Sequence, residues 1–309
     1  MDHQSQNNNN FFEKIRKVVL FVSVLVFIFS AYILIKQLVI DPISFDRNLQ
    51  KIKQIKEDSE KFSSKFKDLI DLNPDIKGWI KIDGTEVDYP VLQSSMDDPI
   101  FYLYKNYEKQ DDKNGSIFIN AYYDLFDEDT QNTVMHGHNM GSGKMFATIL
   151  KYSDINFLKD HHIVNFDSIY GNGKWKVFAI IKTNSKEEHG PIFDYYSPKF
   201  DSQESFFELI YEIKIRSLIN VPVDFSKNDK IISLSTCSPK SELEGFRTVL
   251  FARKIRENET EEIDKDKISV NKNPLMPNGW YNAKKLSIPK FPSFKEQLEN
   301  GKIDWINFL

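Results

Sequence analysis

Short runs of β-forming residues, separated by turn residues, dominate the chain between Gly78 and Ile255. The first two runs, 78–82 and 87–91, flank an Asp83-Gly84 pair, which predicts a β-hairpin. Six further candidate strands follow, at residues 116–119, 133–136, 162–166, 174–183, 230–236 and 247–254. Their number and spacing predict a mainly β domain, arranged as a closed barrel or a sandwich.

Segments with helical spacing lie before and within this β-pattern. Apolar residues recur at helical intervals over 48–72, which predicts an amphipathic helix, interrupted near Asp58-Ser59 and ended by Asn73-Pro74. Two more helices are predicted at 144–152 and 202–218. In the second, the apolar face is formed by Phe206, Leu209, Ile210 and Ile213. We therefore expect a helical segment over 37–72, followed by a β domain with flanking helices.

An uncharged apolar run occupies residues 18–35 near the N-terminus. As a helix it would span ~27 Å, close to the hydrocarbon thickness of a bilayer. Lys14, Arg16 and Lys17 precede it, which places the N-terminus in the cytoplasm by the positive-inside rule, although Lys36 weakens the asymmetry. A cleaved signal peptide is the alternative, but the run is long and no small-x-small cleavage site follows. We expect a cytoplasmic tail over 1–17, an uncleaved single-pass type II anchor in the cell membrane over 18–36, and an extracellular remainder.

Composition and charge indicate a globular protein with a packed core and argue against a nucleic-acid-binding protein. Hydrophobic residues make up 40% of the 309 residues, enough for a packed core. The net charge is -4 and no long basic block occurs, which argues against a nucleic-acid partner. Beyond Arg256 the chain becomes strongly charged (ENETEEIDKDK) and then regains aromatic residues. We interpret 257–309 as a charged linker or fraying tail with an aromatic extension, of no assigned role.

The chain has a single cysteine, Cys237, which ends the run 231–237. Arg247 begins the next run ten residues later, and Pro239 and Gly245 between them allow an antiparallel pair. Directly opposed residues in such a pair have Cβ atoms ~5 Å apart. A guanidinium at that distance stabilises a thiolate or an oxyanion. Cys237 is therefore a candidate nucleophile, and a buried inert cysteine beside a surface arginine is the alternative.

A second candidate for the chemistry is the segment TVMHGHNMG at 133–141, where a short strand enters a glycine-containing turn. A histidine in such a turn keeps one ring nitrogen accessible for proton transfer. Metal binding is the competing interpretation, since His136 and His138 could act with the His161-His162 pair. No Asp or Glu completes a familiar ligand spacing in this motif, so we expect no metal and no cofactor.

The segments TVMHGHNMGSGKMF (133–146) and SLSTC (233–237), with Arg247 beyond them, resemble the sortases, a family of cysteine transpeptidases. The insertion over 193–200 and the 202–218 helix before the cysteine strand are similar to class B in particular. The resemblance covers about 69–255 and implies a closed β-barrel with flanking helices over 73–256. Two departures are His136, where the family more often has Tyr, and Ser233, where it has Thr.

By this resemblance Cys237 is the nucleophile, His138 the acid and base, and Arg247 the group that holds the substrate and stabilises the oxyanion. The resemblance also implies the partners, which are surface proteins carrying a C-terminal sorting signal. The chain would cleave that signal after Thr and join the acyl group to an amine. The amine would belong to a peptidoglycan precursor or cross-bridge or, alternatively, to a pilin lysine.

Five further residues are candidates for contacts with the substrate. Ser235 shares the strand face of the cysteine and points towards the same groove. Tyr195, Tyr196 and Ser197 are candidates to line that groove from the insertion, or they belong to the core. Asn120 closes a candidate strand and is either a substrate contact or a turn residue.

Two other classes of function stay open from the residues. The first is an inactive, membrane-anchored surface binding module that keeps the barrel. The second is a zinc hydrolase built on the histidines. Rapid labelling of the cysteine near neutral pH would separate an enzyme from a binding module, because an activated thiol reacts quickly there.

Overall fold

The computed structural model describes residues 2–58, 62–123 and 126–307. Its N-terminal part consists of α1 (Asp2–Ile35), a π-helical turn (Lys36–Ile40) and α2 (Asp41–Asp58). Within the described residues, one helical stretch is long and apolar enough to cross a membrane, and its most apolar window has a mean hydropathy of 3.0. The predicted amphipathic helix consists of the second half of α2 and of α3 (Phe62–Leu72). The predicted break at Asp58-Ser59 reaches Ser59, which lies outside the described residues.

Eight strands form a closed barrel in the order β1-β2-β3-β4-β8-β9-β6-β5. All eight predicted strands are present, and closure of the barrel decides against a sandwich. Runs of buried β-formers such as IISLSTC account for their strand conformation. The strands are β1 (Ile76–Lys81), β2 (Asp88–Gln93), β3 (Ile117–Ile119), β4 (Asn132–His136), β5 (Ile163–Ser168), β6 (Lys174–Asn184), β8 (Ile231–Cys237) and β9 (Phe246–Lys254).

The barrel closes where β1 pairs with β5, antiparallel, with Gly78 opposite Ser168. A Cβ at Gly78 would lie 2.6 Å from the Asp167 carbonyl oxygen, so this close approach of two strands requires glycine. Two pairs of neighbouring strands are parallel, namely β2 with β3 and β4 with β8. The other barrel pairs are antiparallel. The parallel pair β4–β8 matters for the site, because both strands end at the same edge of the barrel.

Helices occupy the connections. The insertion before β8 contains α5 (Gln203–Arg216), which begins at a capping box made by Ser202 and Ser205 and buries its predicted apolar face. A short α4 (Ile155–Asp160) lies before β5. Three-residue 3₁₀ turns occur at Phe101–Leu103, Glu187–His189 and Lys265–Lys267. The helix predicted over 144–152 is instead a 3₁₀-helix, Phe146–Ser153, and it begins after Met145, because the positive φ of that residue (57°) is incompatible with a right-handed helix.

The charged C-terminal region packs on the barrel, unlike the expected linker, and Ile55–Leu309 form one compact unit. A two-residue strand, β10 (Ser269–Val270), pairs with β7 (Ile219–Asn220). Two short helices follow, α6 (Asn278–Lys284) and α7 (Phe294–Glu299). Aromatic burial and main-chain bonding hold the region in place: Tyr281 and Phe294 are buried, and the Phe225 amide donates to the Trp305 carbonyl at 2.7 Å.

Candidate active site

The ends of β4, β8 and β9 bring the three candidate reacting residues to one edge of the barrel. The Gly137 amide donates to the Ser235 carbonyl at 3.1 Å, which continues the parallel β4–β8 pairing past the end of β4. The Thr236 hydroxyl then donates to the Gly137 carbonyl at 2.7 Å. Because both strands run the same way, the residues that follow, His138 and Cys237, leave the barrel at the same end.

Cys237 lies directly opposite Arg247 in the antiparallel β8–β9 pair. The Arg247 Nη1 group donates to the Cys237 Sγ at 2.8 Å. The other six residues of β8 are buried, whereas Cys237 is exposed. The strand thus carries an accessible thiol against a fixed positive charge, the surroundings in which a thiolate is stabilised.

His138 is half-buried and held by a main-chain acceptor. Its Nε2 lies 2.8 Å from the Leu103 carbonyl oxygen, and the Tyr104 ring centroid is 5.6 Å from its own. Since a carbonyl can only accept, Nε2 carries hydrogen in this contact, which leaves Nδ1 to take up a second proton. Within the described residues, Cys237 makes no hydrogen bond with His138, so the partner of the sulfur is the guanidinium.

Behind the cysteine, the insertion is tied to the barrel by polar side chains. The Tyr195 hydroxyl lies 2.9 Å from Ser235 Oγ, with Tyr195 and Ser235 both buried. Burial raises the pKa of Tyr195 well above its usual value, so the hydroxyl stays protonated. Asn132, fully buried, donates to the carbonyls of Tyr195 and Ser197 at 2.7 and 3.2 Å. These bonds fix the insertion beside β8.

An open cavity of about 570 Å³ borders this part of the insertion. The Tyr196 ring stacks on Tyr195 (4.3 Å between centroids) and on His136 (6.1 Å), which joins the cavity wall to the end of β4. The cavity has polar and aromatic walls and is open to solvent. Residues lining it include Tyr122, Tyr123, Ile192, Asp194, Tyr196 and Ser197.

The family model for the Sortase domain matches residues 80–255 of the chain, more than half of its length. The chain belongs to the sortase family. Sortase B of Listeria monocytogenes is 35% identical over 185 residues, which cover 60% of this chain and 72% of that protein. This similarity identifies a class B sortase, and hence an enzyme of the cysteine transpeptidase type.

Solved structures agree in fold. A Staphylococcus aureus sortase B–substrate complex superposes with a TM-score of 0.60 at 29% identity, covering 70% of this chain and 99% of that one. A sortase B complexed with triglycine gives a TM-score of 0.58 at 29% identity, covering 70% and 97%. Both matches extend over nearly the whole of the other chain, so the barrel with its flanking helices is the class B fold.

The five residues predicted to contact the substrate of this sortase differ from one another in burial and in hydrogen bonding. Tyr195 is a core residue whose hydroxyl meets Ser235, and Ser235 is itself buried rather than free in a groove. Tyr196 and Ser197 line the cavity. Asn120 accepts from the Tyr122 amide at 2.8 Å, as a turn asparagine does. All five stay candidates.

Sequence reasoning missed several residues that build the site. The exposed pair Tyr122-Tyr123 lines the cavity, and two adjacent aromatics after a strand end are a signal that was available. Asn132 and the Leu103 carbonyl had no such signal, because their partners are distant in sequence. Among the described residues, no group of three or more His, Cys, Asp or Glu side chains is placed to hold a metal ion.

Proposed function

We propose that this sortase cleaves a sorting signal after threonine through an acyl-enzyme on Cys237. The Cys237 thiolate attacks the threonine carbonyl carbon, and an S–C bond forms as the C–N bond of the scissile peptide breaks. Arg247 donates to the carbonyl oxygen as negative charge develops there. Charged His138 gives its proton to the departing amine, so the products are a thioester and a free C-terminal fragment.

The second step runs the same groups in reverse. The amine of the acceptor attacks the thioester carbon, and neutral His138 takes the proton that this nitrogen loses. The C–S bond then breaks, which returns the Cys237 thiolate and leaves a new amide. No oxidant, metal or cofactor enters either step.

The observation that carries the proposal is the 2.8 Å contact between Arg247 Nη1 and an exposed Cys237 Sγ. A structural cysteine would be buried among apolar side chains, whereas this thiol is accessible and faces a permanent cation. The position of His138 at the same barrel edge supports its role as the proton carrier. The groove formed with Tyr196 and Ser197 supports an extended peptide as substrate.

We test the reacting groups on purified full-length protein with a fluorogenic peptide of the Asn-Pro-x-Thr or Ser-Pro-x-Thr type. Cys237→Ala should abolish cleavage, and Arg247→Lys should lose about 100-fold or more, because an ammonium cannot reproduce the guanidinium contacts. Lys240→Ala, an exposed change in the same loop, should keep wild-type rates. Cleavage by the alanine variant at 237 would exclude the nucleophile role.

For the acceptor we propose an amine of a peptidoglycan precursor or cross-bridge. The solved sortase B complex with triglycine supports a peptide amine as the class of acceptor. Mass spectrometry of the products formed with triglycine, or with a lysine-containing peptide, distinguishes the two cases. A ligated triglycine product is expected, and preferential ligation to the lysine side chain would favour pilin assembly instead.

We further propose that α1 anchors the protein in the cell membrane with the barrel outside. The basic residues before the apolar run support this orientation. Because Cys237 is the single cysteine, it reports its own location. A membrane-impermeant maleimide should label the protein on intact cells, with Cys237→Ala as the blank. Labelling that needs lysed cells would reverse the proposed topology.

A further inference from the structure

A largely buried lysine on β6 lies behind the reacting cysteine and arginine. Lys182 is directly opposite Thr248 in the β6–β9 pair, and its side chain is 12% exposed. Its ammonium donates to Thr248 Oγ1 at 2.9 Å, to Glu242 Oε1 at 2.7 Å and to Ser238 Oγ at 3.4 Å. An ammonium has three hydrogens, so all of its donors have acceptors within the barrel domain.

The acceptors are the chain neighbours of the two reacting residues. Ser238 follows Cys237, and Thr248 follows Arg247. The Ser238 and Thr248 hydroxyls also contact each other, at 3.0 Å. Lys182 therefore joins the two strand ends from which the thiol and the guanidinium project.

The alternation of side chains along a strand places this cluster on the other side of the sheet from the reacting pair. Thr248 points opposite to Arg247, as Thr236 points opposite to Cys237. Thr236 is opposite Thr248 in the β8–β9 pair and donates to the Gly137 carbonyl, next to His138. A substrate on the thiol side would not touch Lys182, so any effect of Lys182 must act through the strand ends.

We propose that Lys182 is a positioning residue of the transfer reaction, which holds the ends of β8 and β9 in the register that sets the guanidinium of Arg247 against the thiol of Cys237. The inference rests on the proposed roles of that pair. Glu242 would contribute to the same positioning, because its carboxylate binds the Lys182 ammonium and so ties the middle of the β8–β9 loop to β6. A misplacement of about 1 Å at reacting groups costs up to about 100-fold in rate.

The test uses Lys182→Met in the full-length protein, with Lys182→Arg as the conservative variant and Lys186→Met as the matched control. Lys186 makes a comparable ion pair with Glu244 of the β8–β9 loop, at 2.7 Å, but its side chain is 41% exposed. Lys182→Met should lower kcat for the sorting-signal peptide about 10-fold or more, with KM within about 2-fold. Lys182→Arg should recover most of that loss, and Lys186→Met should match the wild type.

Alkylation of the single thiol as a function of pH gives a readout that a merely structural role would not move. Lys182→Met should shift the rise in alkylation rate to higher pH, because the guanidinium is no longer held at the sulfur. An unchanged alkylation profile in a folded Lys182→Met protein would overturn the inference, as would an equal loss in Lys186→Met. If Lys182→Met does not fold, Glu242→Gln should show the same shift more weakly, and no shift would overturn it.

The two proposals fail separately. If the wild type cleaves no sorting-signal peptide, the transpeptidase role of the pair fails, while the alkylation profiles still decide whether Lys182 positions the thiol. If the peptide is cleaved and the profiles of wild type and Lys182→Met coincide, the positioning role fails alone.

Discussion

Replacing Glu259 by glutamine tests whether the charged run after β9 is a structural part of the barrel. The Glu259 carboxylate binds both terminal nitrogens of Arg253, at 2.6 and 2.8 Å, and the Lys176 ammonium at 2.7 Å. The side chains of Arg253 and Lys176 are 1% and 6% exposed. A neutral amide of the same size leaves the buried Lys176 without the carboxylate to which it donates, and leaves Arg253 with its longer ion pairs to Asp224 and Asp229, at 3.6 and 3.8 Å.

The expected loss of unfolding free energy follows from the pKa of the Glu259 carboxyl group. Burial alone would raise the pKa of Glu259, but hydrogen bonds from Arg253 and Lys176 outweigh it and lower the pKa from 4.5 to about 2. A pKa change of that size corresponds to at most about 3 kcal/mol. Because the Glu259 side chain is 19% exposed, solvent screening reduces the figure, and we expect Glu259→Gln to cost about 2 kcal/mol of unfolding free energy.

The assay is denaturant unfolding of the full-length protein in detergent, followed by tryptophan fluorescence. All four tryptophans lie within the Ile55–Leu309 unit, so the signal reports the barrel and its extension: Trp79, Trp175, Trp280 and Trp305. Glu261→Gln is the matched control, since Glu261 bridges Lys174 with both side chains 51% exposed. Such a surface pair should contribute about 0.5 kcal/mol. Equal losses in the two variants would refute the buried role of Glu259.

The stability difference between wild type and Glu259→Gln should decrease as the pH falls. A carboxyl whose pKa is lower in the folded state stabilises the fold above its unfolded pKa, and that stability disappears as pH falls towards the folded value. The difference between wild type and Glu259→Gln should therefore be complete above about pH 5 and shrink between pH 4.5 and 2. A difference that persists unchanged at pH 2 would show that lost packing, not charge, causes the effect.

Three further changes test other parts of the domain. Asn132→Ala removes the buried side chain that binds the insertion, and should cost about 2 kcal/mol in thermal unfolding and raise KM for the peptide. Gly115 has a φ of 58°, and a Cβ at this position would lie 2.2 Å from the Leu103 carbonyl oxygen, which is the hydrogen-bond partner of His138. Gly115→Ala should therefore displace this carbonyl and slow peptide cleavage. A wild-type kcat would argue against a role for the His138–Leu103 contact. Burial lowers the pKa of Lys214 to about 8, so its charge costs stability below pH 8 and the cost is relieved as pH rises towards 10.5. Lys214→Met should be more stable than wild type at pH 7 by about 1 kcal/mol in denaturant unfolding; because a shift of this size is worth about 3 kcal/mol, the gap should close at about pH 9 and reverse by pH 10.5.

The barrel strands were predictable because each is a continuous run of β-formers bounded by turn residues. The eight predicted strands differ from the observed ones by at most two residues at either end. Strand number and spacing alone did not separate a barrel from a sandwich, because closure depends on pairing between β1 and β5, which are far apart in sequence; the resemblance to the sortases implied the closed barrel, and the structure confirms it. The short strands β7 and β10 escaped prediction, since two residues have no periodicity to detect.

Within the candidate site, residues on adjacent strands could be placed and residues held by distant groups could not. The Cys237–Arg247 contact follows from a hairpin that local turn residues predict. Neighbouring tyrosines at 195 and 196 were indistinguishable by type, and the structure buries one against Ser235 and leaves the other half-buried on the cavity wall. The carbonyl that holds His138 belongs to a 3₁₀ turn 35 residues away, and main-chain acceptors have no sequence identity.

The charged run after β9 was misjudged because its average composition conceals one residue with a distinct environment. Lys176 and Arg253 are direct partners in the β6–β9 pair, and both are buried. Like charges facing each other across two strands repel, so this pair requires an anion at short distance. Glu259, in the run that continues from β9, supplies it, whereas Glu261 stays half-exposed. Opposed cations on two predicted core strands are therefore a reason to search nearby acidic runs for a buried carboxylate before assigning those runs to a linker.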